Sequence, residues 1–227
     1  MNLIKKLFNS HRKTSYSQSG EDLIVDFVFE ALKIYNPDYM DIGANHPVYL
    51  NNTYLLYKRG CHGVCIEPDP ALFKTLKQKR TRDTCLNIGI GLSEQTSADF
   101  FVMSAKTLNT FSRVEAQRYQ SYGNQLIERI IPIELVPINS VITKYCIKTP
   151  NFISLDVEGM DLEILKSLDL AKWRPEVFCI ETLTYTEDNT ETKITEIIDY
   201  MCENGYMLYA DTYINSIFVD NNKWINR

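Results

Sequence analysis

The chain has 227 residues, of which 44% are hydrophobic and 23% charged, and it carries a net charge of -5. That is enough apolar material for one well-buried α/β domain and too little length for two, so residues 1–227 are expected to form a single domain. The acidic balance excludes a protein whose main partner is nucleic acid, because that binding is driven by clustered Lys and Arg.

In chain order, residues 1–38 are expected to be a helical N-terminal segment. Leu3, Ile4, Leu7 and Phe8 recur at helical spacing among Lys5, Lys6, Arg12 and Lys13. The pattern suits either a basic amphipathic helix making weak peripheral contact with an anionic membrane or a packed terminal helix. Ser19 with Asp22 reads as a capping box for a helix carrying Leu23, Phe27 and Leu32. Capping leaves Gln18 unexplained, and Gln18 is a candidate ligand contact.

The stretch Tyr39-Met40-Asp41-Ile42-Gly43-Ala44-Asn45-His46-Pro47 is a short apolar run that ends in an acid and breaks at a glycine. A buried parallel strand presents its ligand-facing groups at its carboxyl end, so Asp41, Gly43 and Asn45 are candidates for a cofactor turn. Residues 49–59 read as a helix stopped by Gly60, with Asn51, Asn52 and Thr53 as caps or as contacts to the cofactor. Gly63-Val64-Cys65-Ile66-Glu67-Pro68 reads as a second strand ending in an acid, at the spacing where dinucleotide-type folds place a ribose-binding carboxylate. A pyrophosphate turn needs further glycines where this chain has Asn45 and Pro47, which disfavours NAD. A nucleoside with a positive centre, such as S-adenosylmethionine (SAM), suits a turn flanked by Asp41 and Glu67.

Asp69 as cap and Pro70 at the first helical position predict a helix to Arg80. Residues 85–90 and 98–103 read as strands. Residues 104–131 are too long for a simple connection and are expected to form a lid over the site. Ser112 with Glu115 is a second capping box, placing Asn109 and Thr110 on the loop before a lid helix that holds Arg113, Arg118, Tyr119 and Tyr122. Those Arg and Tyr residues suit a polar, flat acceptor such as a sugar or an acidic glycan. Residues 133–138 and 140–145 read as strand and helix.

Phe152-Ile153-Ser154-Leu155-Asp156-Val157-Glu158-Gly159 is a third strand-to-acid element, expected beside the first strand and with Asp156 facing Asp41 across the switch point. A helix over residues 160–170 follows, whose first-turn acids Asp161 and Glu163 suit the helix dipole. Residues 175–181 form a strand ending in Glu181 on the same rim. A helix over residues 190–203 and a hairpin of residues 206–210 and 214–219 close the chain. The expected fold is a doubly wound, mostly parallel sheet ending in an antiparallel hairpin strand. Six cysteines lack a CxxC pattern and read as reduced, buried structural residues. No apolar run reaches the length of a membrane span, and a cytoplasmic protein is expected.

With those motifs placed, the chain resembles the FkbM family of SAM-dependent methyltransferases. The resemblance rests on Ser17-Gln18-Ser19-Gly20-Glu21-Asp22, Asp41-Ile42-Gly43-Ala44-Asn45, Glu67-Pro68-Asp69, Asn109-Thr110-Phe111, Asp156-Val157-Glu158-Gly159 and Glu181. It implies a Rossmann-like class I methyltransferase fold and O-methyl transfer to a sugar, glycan or natural product. SAM would contact Gln18, Asp41, Gly43, Asn45, Glu67, Pro68 and Asp156, and the acceptor would meet Asn109, Thr110 and Glu158. Pro47 departs from the glycine, and Ser154-Leu155 from the Lys-Ile pair, of many members.

Methyl transfer to an alcohol is an in-line displacement that requires alignment of the hydroxyl and removal of its proton. Asp156 is the first candidate base and His46 the second, while a divalent cation held by Asp156 and Glu181 is a third route. The rival readings are methylation of another acceptor class and a silent binding module on the same fold. Three acids on one rim, Asp41, Glu67 and Asp156, argue against the silent module.

Overall fold

The computed structural model describes residues 13–92, 96–122, 125–184 and 191–227, and the basic amphipathic pattern of residues 3–8 lies outside them. The first half alternates helix and strand: α1 (Glu21–Ala31), β1 (Tyr39–Ile42), α2 (Tyr54–Lys58), β2 (Gly63–Ile66), α3 (Pro70–Lys79) and β3 (Thr84–Leu86). Next come β4 (Gly89–Gly91), β5 (Ser97–Met103), a 3₁₀ turn (Lys106–Leu108), α4 (Arg113–Tyr122), β6 (Ile127–Pro137) and α5 (Ile138–Tyr145). The last third is β7 (Phe152–Leu155), α6 (Asp161–Ser167), β8 (Val177–Glu181), α7 (Thr195–Glu203), β9 (Tyr206–Asp211), β10 (Asn215–Asp220) and α8 (Asn221–Ile225).

Seven strands form one sheet in the order β3-β2-β1-β7-β8-β10-β9, in which only the pairings made by β10 are antiparallel. This is the doubly wound sheet with a closing antiparallel hairpin that the sequence predicts. Side chains alternate across it with the period of two that a strand imposes. Tyr39, Phe152, Val177 and Cys179 pack with Val25, Val28 and Phe29 of α1 on one face, while Met40, Ile42, Ile153, Phe178 and Ile180 pack with helices α5, α6 and α7 on the other. Burial on both faces explains why these strands read as unbroken apolar runs. β1 and β7 lie side by side in parallel, with Ile42 opposite Leu155, so these two strand-to-acid elements end together. Among the described residues no helix is long and apolar enough to cross a membrane.

Several local expectations are corrected. α1 has no capping box: Gly20, in the left-handed region, is its N-cap, and Asp22 instead accepts hydrogen bonds from Ser15 Oγ (2.6 Å), Ser17 Oγ (3.0 Å) and the Tyr16 N–H (2.7 Å). The expected strand over residues 85–90 is two short strands in different sheets, split where Asn87 turns its side-chain amide onto the Glu67 and Pro68 carbonyls. The helix expected from residue 49 begins only at Tyr54, because residues 44–53 form an irregular loop. The expected lid ends early, since Ile127 to Ile131 already pair with β5. Cys202 is exposed, contrary to the expectation of six buried thiols.

Candidate functional site

At the carboxyl ends of β1, β2, β7 and β8 lies a cavity of about 400 Å³, a volume ordinary for a small-molecule or cofactor site. Its walls include Gln18, Gly43, Asn45, His46, Glu67 and Pro68, with Asp156, Glu158 and Glu181 opposite and Asn109 above. Ten of the twelve residues expected at the site therefore share one cavity, drawn from segments more than 150 positions apart.

Gly43 has φ +82, and a Cβ there would lie 1.8 Å from the Asp156 carbonyl oxygen. The glycine is needed because the ends of β1 and β7 touch, which brings Asp156 against the turn. Glu67 accepts the Asn45 N–H on one carboxylate oxygen (2.8 Å) and the Asp69 N–H on the other (2.7 Å). Each oxygen keeps a further lone pair, the pattern that a ribose diol donating two O–H groups requires. Burial pushes the Glu67 carboxyl up to about 8, against the two backbone N–H groups that favour its charged form.

Asp156, Glu158 and Glu181 offer carboxylate oxygens within 4.8 Å of one another, the one such cluster among the described residues. Burial, followed by the charges of Asp161 and Asp41, raises Asp156 to about 7. Glu158 and Glu181 are pushed well above the carboxylate range by the same dehydration and by Asp156 beside them. Three acids crowded in this way resist ionising together, and Asp156 is the one placed to accept or release a proton near neutrality. Glu158 sits at φ +57, a strained conformation for a side-chain-bearing residue. It is held there by the Thr110 hydroxyl, which donates to its carbonyl (2.9 Å), and by the Tyr119 hydroxyl, which donates to its carboxylate (2.8 Å).

Two expected contacts lie behind the wall. Asp41 is buried and accepts from Thr53 Oγ1 (2.7 Å) and Asn51 Nδ2 (3.1 Å), so those loop residues neither cap α2 nor point at a ligand. Thr110 is fully buried and supports Glu158 instead of meeting an acceptor. His46 lines the cavity, yet its Nδ1 accepts the Val48 and Tyr49 N–H groups (3.2 and 2.8 Å). That leaves the proton of neutral imidazole on Nε2, where no lone pair remains to take one from a substrate. Arg113 pairs with Asp99 and Arg118 with Glu115, so neither guanidinium is directed at an acceptor. Asp161 accepts the Val157 and Gly159 N–H groups and shapes the turn that carries Glu158.

Sequence reading missed Lys106, Tyr49 and Leu50 in the wall and the Tyr119 bond to Glu158. The lid motif marked Tyr119 as near the site, but no local signal ties it to a residue 39 positions away. Lys106 is paired with Glu128 (2.6 Å), and its backbone carbonyl accepts from the Asn45 amide (3.2 Å).

A family model described as the methyltransferase FkbM domain matches residues 41–208. A search of curated protein sequences finds no match. Among solved structures, the chain is similar to a TehB-like SAM-dependent methyltransferase from Corynebacterium glutamicum (10% identity, 96% of this chain and 94% of that one, TM-score 0.43). It is also similar to an O-methyltransferase from Bacillus cereus in complex with S-adenosylhomocysteine (10% identity, 96% and 88%, TM-score 0.42). No substrate follows from likenesses this distant.

Proposed function

The chain belongs to the FkbM methyltransferase family, whose methyl donor is SAM, and from that premise we propose that it transfers the methyl group to a hydroxyl of a sugar, glycan or natural product. The observation that carries this reading is Asp156, a carboxyl raised to about 7 on the cavity wall, within reach of two further acids. When bound, SAM supplies an electrophilic methyl on a positively charged sulfur. Glu67 holds the ribose diol, Gly43 and Asn45 carry the backbone past the nucleoside, and Gln18 lies on the same wall. Asp156 takes the acceptor's proton, and the hydrogen-bonding side chains of Asn45, Asn109 and Glu158 in the wall suit a neutral hydroxyl-bearing acceptor. His46 orders its own loop and is not the base.

The test is Asp156→Asn, which should bind SAM within several-fold of the wild type and lose turnover by a factor on the order of 100 or more. Full activity in that variant would remove Asp156 from the chemistry. EDTA then separates a plain base from a carboxylate-held cation: oxygen ligands of this kind suit magnesium, and activity lost to chelation and restored by magnesium would assign Asp156, Glu158 and Glu181 to the metal.

A further inference from the structure

Arg80 lies outside the cavity and belongs to none of the site motifs, yet its side chain is completely buried at the C-cap of α3. A guanidinium has five N–H donors in a fixed fork, and a buried one must place them all. Here five oxygens receive them. Nε donates to Asp83 (2.7 Å), one terminal nitrogen to the Pro47 carbonyl (3.1 Å) and Asn51 Oδ1 (3.2 Å), and the other to Tyr39 (3.1 Å) and Thr53 (2.7 Å). The ring of Tyr57 covers the cation at 4.6 Å.

Two of these acceptors, Pro47 and Asn51, bracket residues 48–50, and the same loop presents Asn45, His46, Tyr49 and Leu50 to the cavity. The loop is costly to hold in place. Asn45 (φ 46) and Leu50 (φ 52) both adopt the left-handed conformation, which asparagine tolerates and a leucine does not. A loop strained at Leu50 relaxes unless something rigid fixes it, and the fork is the group that ties its middle and its end to β1 and α3. Asn51 and Thr53 pass the same restraint to Asp41, whose place inside β1 turns it towards them.

We propose that Arg80 is a positioning residue for methyl-donor binding: through the Pro47 carbonyl and the Asn51 side chain it holds the strained loop of residues 44–53 in the shape that forms the cavity wall. The proposal rests on the SAM-binding reading above. Arg80→Lys keeps a cation beside Asp83 but cannot reach five acceptors. It should weaken SAM binding by roughly tenfold, the loss of about one hydrogen bond's worth of preorganisation. In the free protein, amides of residues 44–53 should exchange several times faster than in the wild type. Met201→Ala, a fully buried change in α7 on the opposite face of the sheet, should lower the melting temperature while leaving both readouts near the wild type.

If Arg80→Lys does not fold, Asn51→Ala breaks the link from the loop side and must show the same two effects. Wild-type affinity and slow loop exchange in whichever variant folds would overturn the proposal. So would an equal loss of both in Met201→Ala, because the effect would then be general destabilisation. Should the wild-type protein bind no SAM, the functional reading fails, while loop exchange still decides the role of Arg80.

Discussion

At the scale of single residues, the account turns on carboxyls that burial keeps partly protonated. Glu67 lies near 8, and on the proposed reading its ionised form accepts two ribose hydroxyls, so SAM affinity should rise from pH 6 through about 8 and level above it. Calorimetry in buffers of different ionisation enthalpy should show proton release on binding at pH 7. Glu67→Gln should bind weakly with no pH dependence, and a pH-dependent Gln variant would remove Glu67 as the cause. Asp156 has a stability consequence of definite sign. Its folded pKa of about 7 lies above the ordinary 3.8, so the folded state holds the extra proton and stability is lost as pH rises from about 4 through 7. Asp156→Asn should therefore melt higher than the wild type at pH 8, with the gain shrinking towards pH 5, and a lower melting temperature at pH 8 would contradict the electrostatic reading. Glu67 and Asp156 were legible in sequence because each follows a buried strand at its carboxyl end. Asp41 breaks that rule, because it lies inside β1 opposite Cys65 and Ser154, two residues before the position that matches Glu67 and Asp156, and its side chain turns onto the sheet face where Thr53 and Asn51 claim it.

At the scale of elements, the lid is the part most open to test. Its contacts with the site are few and polar: the Lys106 carbonyl accepts from Asn45, Asn109 donates to Asp69, and Thr110 and Tyr119 donate to Glu158. The segment also packs Leu108, Ala116 and Tyr119 on Phe101 and Met103 of β5 and pairs the Thr110 backbone with Phe101, so its opening costs more than that of a bare loop but less than that of the seven-stranded sheet. Amides of residues 106–122 should exchange much faster than those of β7 in the free protein and slow when S-adenosylhomocysteine is added. Exchange as slow as β7 without ligand would rule out a lid. Tyr119→Phe removes one of the four bonds and should speed lid exchange while leaving the melting temperature within a few degrees. The capping signal at Ser112 was legible and real, since its hydroxyl accepts the Glu115 N–H (3.2 Å). The end of the proposed lid was not, because residues 127–131, the exposed first half of β6, alternate too weakly to announce a strand that pairing with β5 stabilises.

At the scale of the whole molecule, the parallel core was readable because strands buried on both faces leave apolar runs that amphipathic helices separate. The meeting of the strand-to-acid elements of β1 and β7 followed from that topology. The network around Arg80 did not, since an arginine in a Lys- and Arg-rich stretch after a helix carries the signature of a solvated helix end. What unites the three scales is the cavity built where β1, β2, β7 and β8 end, proposed as the methyl-donor site with Glu67 as its ribose anchor. Calorimetric titration of SAM into the wild-type protein and Glu67→Ala tests this most directly. Saturable one-site binding in the wild type is predicted, weakened by roughly ten- to a hundredfold in the variant as one or two charge-assisted hydrogen bonds are lost. Equal affinity in the two folded proteins would contradict the account.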